Sequence, residues 1–353
     1  MTAVPETREI APGYRISRIL KGGWQLAGDH GPVNPAEAVA GMAAFADAGI
    51  TTFDCADIYT GVEEMIGAFL ARYRRDRGAE AARRVRVHTK FVPDLERLAT
   101  IDRAYVASII DRSLQRLGVE RLDLVQFHWW DYAAPAYVET AQWLDDLRRA
   151  GKIELVGGTN FDTDRLGQIL DAGVPVRTMQ VQYSLLDTRP AKRMAALAAD
   201  HGIAFLCYGT LAGGFLSERW LGQPDPGMAM TNRSLIKYKL IIDDIGGWAL
   251  FQDLLAALKR IADRHGTTIA AVAVRAVLDR AGVAGAIVGA RTAAHLPQTL
   301  AAFGLVLNEA DRAGLDAVLQ RLQPLEGDVY TLERDRTGRH GRIMKYNLNE
   351  DAA

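Results

Sequence analysis

The stretch TTFDCADIY, residues 51–59, decides the fold prediction and joins it to the chemistry. Its β-branched and aromatic start indicates a short buried strand that ends at Asp54. The turn that follows brings Tyr59 back over the end of this strand. An acid and a tyrosine five positions apart establish nothing alone, so the interpretation depends on the ends of the other strands.

The same unit of apolar strand, loop and amphipathic helix recurs along the chain. It first occurs as YRISRIL (14–20), followed by Asn34 as a helix N-cap and Pro35 at the first helical position. Continuous apolar strands joined by helices indicate a parallel sheet covered on both faces. The other strand-like runs are ITTFDC (50–55), VRVHTKF (85–91), LDLVQFHW (122–129), KIELVGGTN (152–160), TMQVQYS (178–184), AFLCYG (204–209) and GAIVGA (285–290).

Eight such units predict a closed (β/α)8 TIM barrel, a single domain over residues 1–353 with extra helical stretches at 268–280 and 309–322. A doubly wound sheet is the alternative, but the turn after the first strand reads KGGWQLAG and lacks the GxGxxG spacing. Two segments lie outside the repeat. The long loop after strand seven, 214–248, is either a lid over cofactor or substrate, with Lys237 and Lys239 as possible phosphate partners, or a surface decoration. For the charged C-terminal tail, 324–353, three places stay open: the active site, the outside of the barrel and a contact between subunits.

Composition points to a small-molecule partner. The chain has 42 basic and 43 acidic residues, so no global field attracts nucleic acid or an anionic membrane. Cys55 and Cys207 lie in apolar runs without metal-ligand spacing, which indicates reduced core thiols. The N-terminus has no signal-peptide pattern and no apolar run reaches membrane-spanning length, so we expect a cytoplasmic protein. The sequence leaves the oligomeric state open.

Polar side chains end nearly every predicted strand, and the carboxyl ends of barrel strands meet at one rim. We therefore expect Asp54, Tyr59, Lys90 and His128 to surround one mouth. A lysine lowers the pKa of a neighbouring tyrosine, a carboxylate orients that lysine, and a neutral histidine can bond a substrate carbonyl oxygen. Because no side chain donates hydride, carbonyl reduction by this set implies a nicotinamide cofactor.

These motifs resemble those of the aldo-keto reductase superfamily over nearly the full length of the chain. FDCADIY with Glu63 and Gly67 resembles the family's Asp-Thr-Ala-x-x-Tyr segment and its Glu-x-x-x-Gly continuation. HTKF carries the family's lysine and LVQFHWWD its histidine. The resemblance implies a catalytic tetrad of Asp54, Tyr59, Lys90 and His128.

The resemblance also implies the cofactor contacts. GGTNF resembles the family's Gly-x-Ser-Asn segment, so Thr159, Asn160 and Gln180 are expected to bind the nicotinamide carboxamide. Tyr208 matches a tyrosine that stacks on the nicotinamide ring, and 209–214 resembles a loop along the pyrophosphate. The implied cofactor-binding residues are Thr159, Asn160, Gln180, Tyr208, Gly209, Thr210, Leu211, Gly213, Gly289, Arg291, His295 and Gln298.

The adenosine end departs from the family pattern. Within IVGARTAAHLPQTL (287–300), Arg291 and His295 are the cations available for a 2′-phosphate, and Gln298 with Thr299 replaces a Glu-Asn pair. An arginine fork suits a phosphate, so the expected cofactor is NADPH or NADP⁺, with NADH as the alternative.

Aromatic residues just beyond the strand ends predict the substrate site. Trp24, Phe91, Trp129 and Trp130 are expected to line a mouth for a medium or bulky, partly apolar ketone or aldehyde that becomes an alcohol. Three alternatives stay open at this point: oxidation of a secondary alcohol or sugar, a nicotinamide-sensing binding subunit on the same scaffold, and a metal-dependent isomerase or lyase. The last would use as metal ligands Asp54, Asp57, Glu63 and His128, whereas the reductase interpretation requires no metal.

Overall fold

Eight parallel strands close into a barrel in the computed structural model, which describes residues 4–28, 31–230 and 232–349. Each barrel strand pairs with the next, and the last pairs with the first. The strands are β1 (Thr7–Ala11) and β2 (Tyr14–Ser17) in an N-terminal hairpin, then β3 (Ile19–Gly22), β4 (Thr52–Asp54), β5 (Arg86–Phe91), β6 (Leu122–Phe127), β7 (Ile153–Thr159), β8 (Val176–Gln182), β9 (Ala204–Tyr208) and β10 (Val283–Gly289) in the barrel. The predicted (β/α)8 TIM barrel is confirmed.

Helices alternate with the barrel strands and cover the outside of the sheet. Those in the described residues are α1 (Pro35–Asp47), α2 (Val62–Arg83), α3 (Arg103–Leu117), α4 (Tyr137–Arg149), α5 (Thr163–Asp171), α6 (Arg193–His201), α7 (Arg233–Asp244), α8 (Gly247–Arg264), α9 (Ile269–Leu278), α10 (Leu296–Ala301), α11 (Glu309–Leu319) and α12 (Thr331–Arg334). Asn34 caps α1 as predicted, because its Oδ1 accepts from the N–H of Ala36 at 3.0 Å. The sequence pattern did not predict α7, which lies inside the connection after β9.

The predicted first strand, 14–20, is divided between two sheets, and that prediction is corrected. Tyr14–Ser17 pairs antiparallel with β1, whereas the barrel strand begins at Ile19. The break follows Ser17, whose N–H donates to Thr52 Oγ1 at 2.9 Å. In return, the N–H of Thr52 donates to Ser17 Oγ at 3.1 Å. These side-chain bonds replace the strand ladder at the point where the chain enters the barrel.

The hairpin closes the amino end of the barrel with apolar side chains. The residues of this plug are Ile10, Tyr14, Ile16, Leu20, Leu124, Leu206 and Ala284. A larger apolar core lies between the strands and the helices around them. Because one end of the barrel is filled, the carboxyl ends of the strands are the end with room for a ligand. In the part of the chain that the structure describes, no helix has the length and apolarity needed to cross a membrane.

Candidate active site

A cavity of about 490 Å³ opens at the carboxyl ends of the barrel strands. All four tetrad residues reach its wall: Asp54, Tyr59, Lys90 and His128. Asp54 ends β4, Lys90 lies on β5, and His128 follows β6 directly. Tyr59 follows in the turn after β4, as the sequence predicted. Four side chains from three separate chain segments therefore converge on one site.

Asp54 and Lys90 form a buried ion pair. Lys90 Nζ donates to Asp54 Oδ2 and to the carbonyl oxygen of Cys55, both at 2.8 Å. The two side chains are 5% and 6% exposed, so water screens the pair little. Burial lowers the pKa of Lys90, but the Asp54 carboxylate and the Tyr59 side chain more than offset burial and raise it above its usual range. Lys90 is therefore an ammonium at neutral pH.

Two glutamine amides hold the other oxygen of Asp54. Gln126 Nε2 donates to Asp54 Oδ1 at 3.0 Å, and Gln180 Nε2 donates to the same oxygen at 2.6 Å. Gln180 Nε2 also donates to Gln126 Oε1 at 2.9 Å. This network engages the amide nitrogen of Gln180, and the expected role of Gln180 in binding the carboxamide stays a prediction. Gln126 was missed, although it lies two positions before His128 and so on the same face of that strand.

Tyr59 packs beside the ammonium. Its ring centroid is 5.2 Å from Lys90 Nζ and 5.0 Å from the ring of Trp24. Burial raises the pKa of Tyr59, and the opposing effect of Lys90 is smaller. The expectation that the lysine brings this pKa toward neutrality is corrected in this geometry. Tyr59 is a protonated phenol at neutral pH, which is the form that can give up a proton.

The two ring nitrogens of His128 differ in their hydrogen bonding. Its Nδ1 lies 3.2 Å from the carbonyl oxygen of Thr159, while Nε2 is buried and has no hydrogen-bond partner in the described part of the protein. Burial, assisted by Arg334, lowers the pKa of His128 to about 3, so the ring is neutral. Because a carbonyl only accepts, the Nδ1 contact requires a proton on Nδ1 and makes Nε2 an acceptor.

Nine of the residues predicted to bind cofactor line the cavity: Thr159, Asn160, Gln180, Tyr208, Gly209, Thr210, Leu211, Gly213 and Gly289. Tyr208 donates its hydroxyl to Asn160 Oδ1 at 2.9 Å. Asn160 has a φ of 62°, a left-handed conformation that its neighbours must stabilise. A Cβ on Gly209 would come within 2.5 Å of the Tyr238 hydroxyl oxygen, and one on Gly213 within 2.9 Å of the Tyr238 ring, so these glycines let α7 pack closely on the loop.

The other three predicted cofactor residues lie outside the cavity wall. Arg291, His295 and Gln298 are exposed on the segment that follows β10. The guanidinium of Arg291 lies near Gly31, since a Cβ on that glycine would be 3.3 Å from Nη1. A role for these side chains in binding the adenosine end stays a prediction.

The four aromatic residues that were predicted to line the substrate mouth divide into two pairs. Trp24 and Trp130 line the cavity, and the Trp130 ring meets the His128 ring edge-on at 4.2 Å. Phe91 and Trp129 are fully buried in the core between sheet and helices, and their assignment to the substrate mouth is corrected. Each directly follows a tetrad residue, and successive side chains of an extended segment point to opposite faces.

Two segments that the sequence left open form the outer wall of the cavity. From the connection after β9, the contributors are Asn232, Arg233, Ser234, Lys237 and Tyr238. From the C-terminal tail, they are Tyr330, Ile343, Met344, Lys345 and Leu348. Tyr330 lies with its ring 5.6 Å from that of His128. The tail therefore reaches the cavity.

Buried charges hold the tail against the barrel. Arg189 donates to both carboxylate oxygens of Glu333 at 3.0 Å and to Asp187 Oδ2 at 2.7 Å. All three side chains are at most 1% exposed. Arg334 donates to the backbone carbonyls of Trp130 at 2.7 Å and Asn160 at 2.8 Å.

A profile described as the aldo/keto reductase family matches residues 18–320. The chain belongs to this family. The family's oxidoreductases use nicotinamide cofactors. In the described residues, no three His, Cys, Asp or Glu side chains are arranged to hold a metal ion, so the ligand set considered for a metal-dependent isomerase is not assembled.

Several relatives support the assignment. The aldo-keto reductase YhdN of Bacillus subtilis is 28% identical over 87% of this chain and 91% of its own length. An NADH-specific methylglyoxal reductase of Escherichia coli is 26% identical over 60% of this chain and 63% of its own. Flagellar radial spoke protein 5 of Chlamydomonas reinhardtii is 33% identical over 64% of this chain, which spans about half, 49%, of that protein.

The fold is similar to that of a glycerol dehydrogenase from Gluconobacter oxydans. The two structures superpose with a TM-score of 0.75 at 26% sequence identity. The similarity covers 91% of this chain and 97% of the other.

Proposed function

We propose that this family member is an NADPH-dependent carbonyl reductase that converts an aldehyde or ketone to an alcohol. The observation that supports the proposal is the convergence of a protonated Tyr59, a charged Lys90 paired with Asp54, and the unpartnered Nε2 of His128 on one cavity. We assign these four residues as the catalytic tetrad.

The residues present fit a nicotinamide dinucleotide. The flat ring of Tyr208 offers a stacking surface, and its hydroxyl donates to Asn160 Oδ1 at 2.9 Å, which places a polar amide beside the ring. The glycine-containing loop 209–214 borders the same cavity. When bound, the dinucleotide supplies the hydride that no side chain can supply. Thr159, Asn160, Tyr208 and the 209–214 loop would hold it, with Arg291 toward a 2′-phosphate. NADH is the alternative cofactor, as in the NADH-specific relative.

The protein side chains move the proton. In reduction, the Tyr59 O–H bond breaks as its proton passes to the substrate oxygen, and the phenolate that remains is stabilised by Lys90 and reprotonated from solvent. Asp54, held by Lys90 and two glutamines, keeps the ammonium directed at this region. In the tautomer that the Thr159 contact requires, His128 Nε2 accepts from the hydroxyl of the alcohol. To donate to a substrate carbonyl, the neutral ring carries its proton on Nε2 instead and gives up the bond from Nδ1 to Thr159.

Oxidation of an alcohol is a second candidate function, and two observations favour it. The Nδ1 contact of His128 with Thr159 leaves Nε2 as an acceptor, which suits an alcohol hydroxyl. The similar structure is that of a glycerol dehydrogenase. In this direction Tyr59 acts as the base, and its raised pKa favours alkaline conditions.

The test is transfer of deuterium from NADPH labelled at nicotinamide C4 to a panel of aldehydes and ketones, repeated in EDTA. We expect the product alcohol to gain one deuterium at the former carbonyl carbon, with EDTA having no effect. Oxidation of secondary alcohols by NADP⁺ or NAD⁺ is measured in parallel. Cofactor binding without turnover in either direction would contradict the enzyme function and favour a nicotinamide-sensing subunit.

A further inference from the structure

Lys237 of α7 is a cavity-lining ammonium surrounded by aromatic rings. Its Nζ lies 4.9 Å from the ring centroid of Tyr208 and 5.7 Å from those of Tyr238 and Tyr330. These rings come from the barrel, from α7 and from the C-terminal tail. In the described residues, the Lys237 ammonium has no hydrogen-bond acceptor and no ion-pair partner within contact distance.

Two other lysines of this fold have oxygen partners for their ammonium groups. Lys90 has two oxygen acceptors at 2.8 Å. Lys239, two positions beyond Lys237 on the same helix, pairs with Asp225 at 3.1 Å and with Asp243. Lys237 has ring faces instead, which attract a cation but leave its three N–H donors without conventional acceptors. Burial lowers the pKa of Lys237, which reflects this incomplete solvation.

The carboxylates near Lys237 already accept hydrogen bonds from Arg189. Glu333 exerts the largest electrostatic attraction on Lys237, yet both of its carboxylate oxygens accept from Arg189 at 3.0 Å. Asp187 likewise accepts from Arg189 and from Gln182. A ligand anion would therefore not have to displace an existing partner of Lys237.

The position of Lys237 indicates which anion it meets. The ring of Tyr330 contacts both the Lys237 ammonium and, at 5.6 Å, the ring of His128. The ammonium is thus separated from the proposed reaction centre by a single aromatic ring. The cavity wall also includes Trp130 and Met344, which suit an apolar body.

We propose that Lys237 binds a carboxylate carried by the substrate, so that the preferred substrates are aromatic or aliphatic aldehydes and ketones with a carboxylate at the end away from the carbonyl. This inference rests on the proposed reductase function and specifies its substrate class. Tyr208, Tyr238 and Tyr330 hold the ammonium in place before the substrate enters.

The experiment compares 4-formylbenzoate with its neutral isostere 4-formylbenzamide in the wild-type protein and in Lys237→Met. Charge-assisted bonds are about twice as strong as neutral ones, so we expect wild type to prefer the carboxylate by roughly tenfold or more in kcat/KM, mainly through KM. Lys237→Met should lose this preference while still reducing the amide. Lys345→Met, which removes another cavity-lining cation, should keep it.

Three results would overturn the assignment: no carboxylate preference in wild type, an undiminished preference in Lys237→Met, or loss of the preference only in Lys345→Met. NADPH affinity, measured by tryptophan fluorescence in the same variants, separates the substrate from the cofactor as the source of the anion. Weakened NADPH binding with an intact carboxylate preference would assign Lys237 to the cofactor phosphates and contradict the inference.

Calorimetric titration with 4-formylbenzoate gives a readout that does not depend on turnover. We expect binding to wild type and at least about tenfold weaker binding to Lys237→Met. If no carbonyl of either charge is reduced, the proposed function fails, and this titration still decides the anion site. Equal binding to both proteins would overturn it.

Discussion

The strand ends and the outer wall of the cavity differ in how they are held. At the strand ends, Asp54 receives hydrogen bonds from Lys90, Gln126 and Gln180, all from barrel strands whose spacing the backbone ladder fixes. The outer wall consists of α7 and the tail residues 330–348, which belong to no sheet. A few side chains attach it, above all the Arg189–Glu333 pair.

This difference implies that the reaction rate and the substrate selectivity depend on different parts of the molecule. Groups on a closed barrel cannot shift without disturbing the neighbouring strands, so changes there should alter the rate of the reaction. The outer wall lines the cavity but, in the described part of the chain, contributes no hydrogen bonds to the barrel sheet. Changes there should therefore alter substrate affinity or stability and leave the reacting groups in place.

The largest effect is expected from removing the strand-end cation. Lys90→Met should reduce turnover by roughly 100-fold or more, because Tyr59 loses the charge that stabilises its phenolate. The control is Lys21→Met, since Lys21 is also a buried strand lysine but bonds the carbonyl of Ala290 outside the cavity. Steady-state kinetics with saturating cofactor measures both. Similar losses in the two variants would mean that the effect is structural.

The second largest effect is expected on stability, when the Arg189–Glu333 pair that attaches the outer wall is broken. Glu333→Ala leaves the Arg189 guanidinium buried with only Asp187 as its carboxylate partner, and breaking such a pair costs roughly 3–5 kcal/mol. Urea unfolding measures the change, with the exposed tail residue Glu326→Ala as control. We expect kcat to change far less than KM. An unchanged unfolding free energy would show that the tail is not held by this pair.

The same pair predicts a pH dependence. The Arg189 guanidinium and Lys237 overcome the effect of burial and lower the pKa of Glu333 to about 2 from an ordinary value of 4.5. A lowered carboxyl pKa contributes stability above the unfolded-state value, and this stability is lost as pH falls from about 4.5 toward 2. Thermal melts across this range should fall more steeply for wild type than for Glu333→Gln. Parallel curves would contradict the shift.

A smaller effect is expected at the adenosine end. Arg291→Ala should weaken NADPH roughly tenfold and leave NADH binding nearly unchanged, because only NADPH carries the 2′-phosphate. Fluorescence titration with each cofactor measures this, and NADH serves as the internal control. Equal weakening of both would place the phosphate site elsewhere.

The smallest effect separates the two aromatic pairs. Trp130→Leu should raise KM for carbonyl substrates severalfold, because this ring lines the cavity beside His128. Phe91→Leu should cost about 1 kcal/mol of stability and leave KM unchanged, because its ring is buried among Phe127 and Tyr105. A changed KM in Phe91→Leu would return that residue to the substrate site.

The barrel and the positions of the tetrad could be predicted because both follow from strand periodicity. Asp54, Lys90 and His128 end apolar runs in the same phase, and parallel strands bring equivalent ends together. The same alternation could have excluded Phe91 and Trp129, which are adjacent to tetrad residues and so face the other way.

The outer wall could not be predicted, because its contacts join distant parts of the chain. Arg189 and Glu333 are 144 positions apart, and nothing in either local sequence marks the partner. Tyr330 directly precedes α12, a single helical turn that Glu333 of that pair and Arg334 attach to the barrel. The separation of the hairpin strand 14–17 from β3 could not be predicted for the same reason. It depends on hydrogen bonds between Ser17 and Thr52, which are 35 positions apart.

Comparison of Tyr59→Phe with wild type tests the central claim most directly. The substitution keeps the ring against Lys90 and Trp24 and deletes the hydroxyl. We predict that carbonyl turnover falls by roughly 100-fold or more while the affinity for NADPH, measured by tryptophan fluorescence, stays within about twofold. Turnover close to wild type in this variant would contradict the assignment of Tyr59 as the proton donor.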